Sequence, residues 1–221
     1  MLTEDTAPAP QPAVAIDQPA PDFEARSTHG PVRLSDYRGR WLVFFSHPAD
    51  FTPVCTSEFI AFQNAASEFE ALACALLGLS VDSVYAHLAW MKDIKERFGV
   101  EVGFPVIEDI SMSLARAYGM IHDASTSTAT VRSVFFIDPD GVLRAFIHYP
   151  MNVGRSVAEI LRVLAALQEA DARGVAAPEG WRPGDTAVLP PPETTAEIAE
   201  RKKLNGRNRD WYYTETEGGE R

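Results

Sequence analysis

A chain of 221 residues with 46% hydrophobic side chains can bury a substantial core without disulfides or structural metals, and no run in it approaches the roughly eighteen apolar residues of a membrane span. Against 31 acidic side chains stand 20 basic ones, a formal net charge of -11, which repels phosphate backbones and anionic lipid surfaces and disfavours nucleic acid and membrane as partners. Two cysteines, Cys55 and Cys74, are too few for a secreted disulfide framework, and the acidic start Met1 to Asp5 leads into Ala and Pro instead of an apolar signal core; both point to a reducing, cytoplasmic setting.

Residues 1–15, rich in Ala and Pro, lack the apolar periodicity that would repay ordering and read as a flexible tail. Leu34 to Arg40 reads as a turn feeding the continuous apolar run Trp41 to Ser46, a central strand covered on both faces. A loop over His47 to Val54, with Pro48 and Pro53, precedes a helix over Thr56 to Leu72 whose Phe59, Ile60, Phe62, Ala66 and Phe69 recur at helical spacing. Cys74 to Val81 is a second buried strand, and Val84 to Phe98, with Trp90 and Ile94, a second helix. This βαβα order predicts two parallel strands side by side and an α/β class, a sheet covered by helices.

Farther on, Asp138-Pro139-Asp140-Gly141 is turn chemistry between Val131–Ile137 and Val142–His148, which predicts a β-hairpin. Ser156 to Gln168 carries Val157, Ile160, Leu161, Leu164 and Leu167 at helical spacing and is expected to pack back on the sheet. From residue 170 the composition shifts toward Pro178, Pro183, Pro190, Pro191 and Pro192, with one short charged helix near Thr195 to Lys203. The expected organisation is a tail over 1–15, a domain over 16–169 and an extended arm over 170–221. An arm without its own core must lie on this domain or on a second copy.

Pro48-Ala49-Asp50-Phe51-Thr52-Pro53-Val54-Cys55 sits between the carboxyl end of the central strand and a helix start. A thiol in a first helical turn meets the positive end of the macrodipole and unpaired backbone N–H groups, which favour the thiolate. Cys55 is therefore a candidate nucleophile. The opposing reading is an inert cysteine packed as a small hydrophobe; the polar, conformationally restricted surroundings argue against it.

The segment Ser46-His47-Pro48-Ala49-Asp50-Phe51-Thr52-Pro53-Val54-Cys55-Thr56-Ser57-Glu58 resembles the active-site segment of peroxiredoxins of the one-cysteine type. Similarity continues through Gly78 to Ser83, Ala89-Trp90, Val131 to Asp138, Tyr149 to Arg155 and Trp181 to Asp185. The resemblance implies a thioredoxin-like fold with a C-terminal dimerisation arm, a homodimer or ring of dimers, no cofactor, and reduction of hydrogen peroxide and organic hydroperoxides. The family's Pro, Thr and Cys map onto Pro48, Thr52 and Cys55, and its distant arginine onto Arg132. Arg132 would stabilise the thiolate and the leaving oxygen, Thr52 would offer a hydroxyl, and Pro48 would shield the site. Glu58 and Arg155 could support Arg132 through ion pairs. His47 is read two ways, as a group that hydrogen-bonds peroxide or reductant and as a satisfied loop histidine.

Oxidised Cys55 is a sulfenic acid that a second thiol must capture. In a parallel βαβ unit Cys55 and Cys74 lie at opposite sheet edges, separated by a helix of about sixteen residues, roughly 24 Å long, far beyond the roughly 7 Å limit of a disulfide. The arm, reading Asn208-Arg209-Asp210-Trp211-Tyr212-Tyr213-Thr214, has no sulfur where related chains place a second cysteine. The reductant is thus expected to be an external thiol: thioredoxin, glutathione or a small thiol. Arg40 stands where some relatives carry a lipase serine, so lipase chemistry is not expected. Thr52 in place of a second cysteine disfavours a C-x-x-C oxidoreductase, and a noncatalytic holdase remains the alternative class. His29, His47, His87, His122 and His148 show no metal-ligand spacing, and no metal is expected.

Overall fold

The computed structural model describes residues 14–121, 126–204 and 208–216. Most of the Ala/Pro-rich tail, together with His122 and Ser125, lies outside the described residues. Contacts group the chain into two compact units, 1–155 and 156–221. The composition change at residue 170 falls later than this division, because it registers the density of proline and not the start of the helix that precedes it.

In the first unit the elements run β1 (Gln18–Pro19), β2 (Glu24–Ser27), β3 (Gly30–Arg33), a 3-10 turn over Leu34–Tyr37, β4 (Trp41–Ser46), α1 (Pro53–Asn64), α2 (Ala66–Ala71) and β5 (Cys74–Ser80). They continue with α3 (Val84–Phe98), β6 (Val106–Glu108), α4 (Ser113–Ala117), β7 (Arg132–Ile137) and β8 (Val142–Tyr149). Among the described residues eight strands form one sheet in the order β1-β8-β7-β4-β5-β6-β2-β3. The expected parallel pair is β4 and β5, with Trp41 opposite Cys74 and Ser46 opposite Leu79; β7 runs antiparallel on the other side of β4, and β8 closes the expected hairpin. This is the thioredoxin-like α/β fold.

Alternation along β4 builds both faces of the core. Leu42 and Phe44 join Phe23, Leu77, Tyr118 and Phe135 on one side, whereas Phe45 on the other stacks on Phe62 at 4.3 Å between ring centroids and meets Phe59 and Phe104 edge-on. Every residue of β4 is buried, which is why the run reads as uninterrupted apolar sequence. The single helix expected over Thr56 to Leu72 is two, parted at Ala65. Apolar spacing continues across the break, because Phe62 and Phe69 both turn inward, and periodicity alone does not register a kink. The helix also begins earlier than expected, at Pro53: proline is favoured at a first helical position, where its missing N–H would have had no partner.

The second unit holds α5 (Val157–Arg173), α6 (Thr195–Arg201), β9 (Asn208–Asp210) and β10 (Tyr213–Thr214). Ser156 caps α5 by accepting from the Glu159 N–H, and Gly174 ends it in the left-handed region at φ 61°, where a side chain would be strained. The capping box of Thr194 and Glu197 starts α6. Between the helices, Ala176 bridges Val188 and Val188 bridges Glu215, while the indole N–H of buried Trp181 donates to the Asp185 carbonyl.

Candidate active site

Cys55 is the third residue of α1, after Thr52 at the N-cap with extended backbone (φ −107°, ψ 146°) and Pro53 in the first turn. Its side chain is fully buried. The Thr52 hydroxyl donates to the Ala49 carbonyl at 2.9 Å, so toward a substrate its oxygen can only accept. Pro48 is buried in the preceding loop. Phe51, exposed beside Thr52, holds the left-handed region at φ 55°, a conformation that costs a non-glycine residue about 1–2 kcal/mol and needs anchored neighbours to persist.

Arg132 reaches this turn because β7 lies against β4. Ser46, the last residue of β4, donates its hydroxyl to the Val131 carbonyl and accepts from the Ser133 N–H, at 2.6 and 3.1 Å, clamping the strand on both sides of Arg132. The guanidinium is oriented by the Met151 carbonyl, which accepts from Nε at 3.0 Å and Nη2 at 2.7 Å. Nη1 donates to Cys55 Sγ at 3.3 Å and to Glu58 Oε2 at 2.7 Å. One Nη2 hydrogen has no partner among the described residues.

Glu58, one turn beyond Cys55, is gripped from the other side by Arg155. Both of its oxygens accept from the Arg155 guanidinium, at 2.9 and 2.7 Å, and its Oε1 also accepts from the Arg155 backbone N–H at 2.8 Å. Arg155 Nη1 donates to the carbonyls of Ser46 and Ser133, and its guanidinium lies over the Phe45 and Phe62 rings. Gly154 lets the loop approach: a Cβ there would stand 3.3 Å from Val54 Cγ1. Burial pushes the Glu58 carboxyl up, but the hydrogen bonds and charge of Arg155, with the charge of Arg132, outweigh it and hold it below its usual range. Two buried arginines against one carboxylate leave one positive charge, set beside the Cys55 sulfur through Arg132 Nη1; a buried charge calls for an anionic partner.

The structure thus brings Cys55, Arg132, Glu58 and Arg155 into one hydrogen-bonded chain, with Thr52 and Pro48 in the loop that enters it. His47 is placed differently. Its ring, fully buried, is held at Nε2 by Asp50 Oδ1 at 2.8 Å, while Nδ1 has no partner among the described residues. The second oxygen of Asp50 is 2.8 Å from His87 Nδ1. Burial lowers the pKa of His47 below its ordinary value; burial pushes Asp50 up, but the hydrogen bonds from both histidines prevail and hold it low.

Histidine spacing in the sequence marked no cluster, yet the fold sets His47, Asp50 and His87 with nitrogen and oxygen atoms within 4.8 Å of one another, all buried. These are the residues that could hold a cation. Every facing atom is already engaged in a hydrogen bond between members, so a cation would have to displace the protons that join them. The overlooked signal was His87 itself, a histidine on the buried stripe Val84, His87, Trp90 and Ile94 of α3, where a polar ring needs a partner.

Cys74 starts β5 opposite Trp41, the first residue of β4, whereas Cys55 follows the other end of β4. Both thiols are free. Burial pushes the Cys74 thiol up to about 12, so it stays protonated across the physiological range. Alkylation of the folded protein at pH 8 is expected to leave Cys74 unmodified and to reach it only on unfolding, as peptide mass mapping will show; labelling of Cys74 in the native state would contradict its burial.

The AhpC/TSA family model matches residues 16–146, and the model of the C-terminal domain of 1-Cys peroxiredoxin matches residues 166–204. The chain is 51% identical over 199 residues to Peroxiredoxin 2 of Caldanaerobacter subterraneus subsp. tengcongensis, covering 89% of this chain and 90% of that one. It is 49% identical over 208 residues to the peroxiredoxin of Aquifex aeolicus, covering 89% and 94%. A solved structure of yeast mitochondrial 1-Cys peroxiredoxin, described for thiol resolution via glutathione/thioredoxin systems, matches with a TM-score of 0.79 at 40% identity, over 92% of this chain and 100% of that one. A variant of the Peroxiredoxin 6 of Arenicola marina matches with a TM-score of 0.80 at 35% identity, over 92% and 98%.

Proposed function

Because the chain belongs to the AhpC/TSA family, as a peroxiredoxin with the C-terminal domain of the 1-Cys type, and is therefore a thiol peroxidase, we propose that Cys55 is its peroxidatic nucleophile and Arg132 the cation that serves it. The observation that carries this reading is the Arg132 Nη1 that donates to Cys55 Sγ at 3.3 Å while also holding Glu58. The Cys55 thiolate attacks the hydroxyl oxygen of the hydroperoxide; the S–O bond forms as the O–O bond breaks. Sulfur is oxidised to the sulfenic acid, and the alkoxide or hydroxide that leaves takes a proton from solvent. Thr52 accepts a hydrogen bond from the attacked hydroxyl, Arg132 stabilises the charge on the leaving oxygen, and Glu58 and Arg155 orient Arg132. Pro48 keeps water off the sulfur, and His47 supports the bound peroxide.

An external thiol completes the cycle by forming a mixed disulfide with Cys55 and releasing water; thioredoxin, glutathione or a small thiol has the required chemistry, and the yeast neighbour's glutathione/thioredoxin systems support this. Since Cys55 is fully buried, a bulky thiol reaches it only when the first turn of α1 and its loop open. We read a homodimer, or a ring of dimers, from the sheet edge: among the described residues β1 pairs with β8 only at Val142 and Leu143, and a second copy can extend the sheet along the rest of β8. The two free thiols suit a cytoplasmic setting, and no described helix is long and apolar enough to cross a membrane.

The deciding experiment mixes reduced protein with one equivalent of hydrogen peroxide or an alkyl hydroperoxide and follows intact mass under non-reducing conditions. One oxygen gained at Cys55 and discharged by added thiol is the expected result. A bridge between Cys55 and Cys74, or between two chains, would overturn the one-cysteine cycle.

A further inference from the structure

Outside the Cys55, Arg132 and Glu58 chain, the fold contains a second buried polar group, His47, Asp50 and His87, of which the peroxidase chemistry above uses only His47. His47, Asp50 and His87 come from the end of β4, the loop before α1 and the second turn of α3. Both rings share the carboxylate of Asp50, each through its own oxygen, at 2.8 Å. The other nitrogen of His87, Nε2, lies 3.1 Å from the Ile107 carbonyl. Further hydrogen bonds tie the backbone of the loop in place: the Asp50 N–H donates to Asp82 Oδ2, and the His47 carbonyl accepts from Thr130.

Counting protons assigns the tautomer. A carbonyl only accepts, so His87 Nε2 carries a hydrogen; one proton lies between His87 Nδ1 and Asp50, and one between Asp50 and His47 Nε2. Three hydrogen bonds use three protons. His47 Nε2 is committed to Asp50, and a proton on buried Nδ1 would be a donor with no acceptor among the described residues, so the ring is neutral and its Nδ1 is a lone pair. It is the one buried side-chain nitrogen or oxygen without a partner among the described residues, an uncommon state for such an atom. The ring stands against Phe59 and Trp90, at 4.8 and 5.2 Å between centroids. Phe59 lies one turn from Cys55 on α1, and the Trp90 indole donates to Thr56, the residue after Cys55.

We propose that Asp50 and His87 are positioning residues of the peroxidase, holding His47 as its Nε2–H tautomer so that its Nδ1 lone pair accepts a hydrogen bond from a small O–H donor, the hydroperoxide or the water it displaces. This rests on the reading of Cys55 and His47 given above and adds two residues to it. His87 acts at a distance, through the carboxylate, because its own nitrogens are committed to Asp50 and Ile107. The same clasp holds Asp50 fixed beside the strained Phe51 and so keeps Thr52, the N-cap of the helix bearing Cys55, in register. No proton is transferred: the hydrogen that His47 accepts remains on oxygen while the S–O bond forms and the O–O bond breaks. The charged and titratable groups around the His47 ring are Asp50 on its own loop, His87 from α3 and Asp82 from the β5–α3 connection; the α1 and α3 side chains against the ring, Phe59 and Trp90, are uncharged.

The test has a spectroscopic and a kinetic arm, both on the full-length reduced protein. Ring-nitrogen NMR of histidine-labelled protein near neutral pH, assigned with a His47→Asn variant, is expected to show Nε2 of His47 protonated and Nδ1 bare. His87→Leu leaves one Asp50 oxygen without its partner and is expected to slow oxidation of Cys55 by peroxide about tenfold, or about 1.4 kcal/mol. His87→Asn, whose amide can donate to Asp50 from near the position of Nδ1, is expected to restore most of the rate. A protonated Nδ1 in the native protein, a folded His87→Leu that reacts at the wild-type rate, or a His87→Asn as slow as His87→Leu would overturn the proposal. If His87→Leu does not fold, the NMR arm still decides. A Cys55→Ser protein that keeps full activity would instead overturn the peroxidase assignment of Cys55, so the two failures are distinct.

Discussion

Replacing Cys55 by serine is expected to bring peroxide consumption under a thiol reductant down to the rate of buffer alone, a loss of about a millionfold or more on the scale of enzymatic accelerations. Serine fits the space and keeps the helix turn. Its hydroxyl, however, is not ionised at neutral pH, and oxygen has no counterpart to the two-electron oxidation that takes sulfur to a sulfenic acid. The charge balance changes too. With a neutral side chain at position 55, the Glu58, Arg132 and Arg155 cluster keeps its unneutralised positive charge next to the place where peroxide binds. The variant should melt as a folded protein and still fail to gain oxygen in intact-mass spectra. A Cys55→Ser protein that consumes peroxide at the wild-type rate would remove Cys55 from the reaction.

Glu58→Leu is the change expected to cost most in stability, about 3–5 kcal/mol, the range found when one partner of a buried ion pair is removed. Glu58 is 3% exposed and accepts four hydrogen bonds from two arginines and one backbone N–H, so its loss leaves two guanidinium groups buried and repelling each other. Denaturant melts should record the loss as a lower midpoint, and Arg132, released from Glu58, should serve Cys55 less well, lowering the oxidation rate in any fraction that folds. Glu58→Gln isolates the charge. Because the folded Glu58 carboxyl titrates below its usual value of 4.5, its contribution is fully present above that value and is lost as pH falls through the lower folded pKa. The wild type should therefore lose stability in acid below about pH 4.5, and Glu58→Gln should lose less over the same interval; equal acid limbs would show that Glu58 is not held ionised by the arginines.

The local parts of this protein were legible in the chain itself. Trp41 to Ser46 reads as a buried strand because both of its faces are apolar, and the Pro, Thr and Cys of the following turn announce a helix start with a thiol in it. The placing of Cys74 at the far sheet edge follows from βαβ topology, and the register of Trp41 with Cys74 bears it out. Where periodicity was the only guide, detail was lost: the break at Ala65 interrupts hydrogen bonding without interrupting the apolar stripe, and β2 with β3, short and half exposed, carried too weak an alternation to be noticed.

The sequence by itself determined the α/β order, the candidate nucleophile and the absence of a second sulfur in the arm, since each of these depends on residue types over a few turns. Only the tertiary structure decided what surrounds the sulfur. Arg132 lies 77 residues from Cys55 and His87 lies 37 from Asp50, and their meeting depends on which strand lies beside β4 and which face of α3 turns inward. Hydrogen bonds of this reach are set by strand register and by the demand that every buried charge and polar ring find a partner, a condition on the whole fold that no local pattern of residues states.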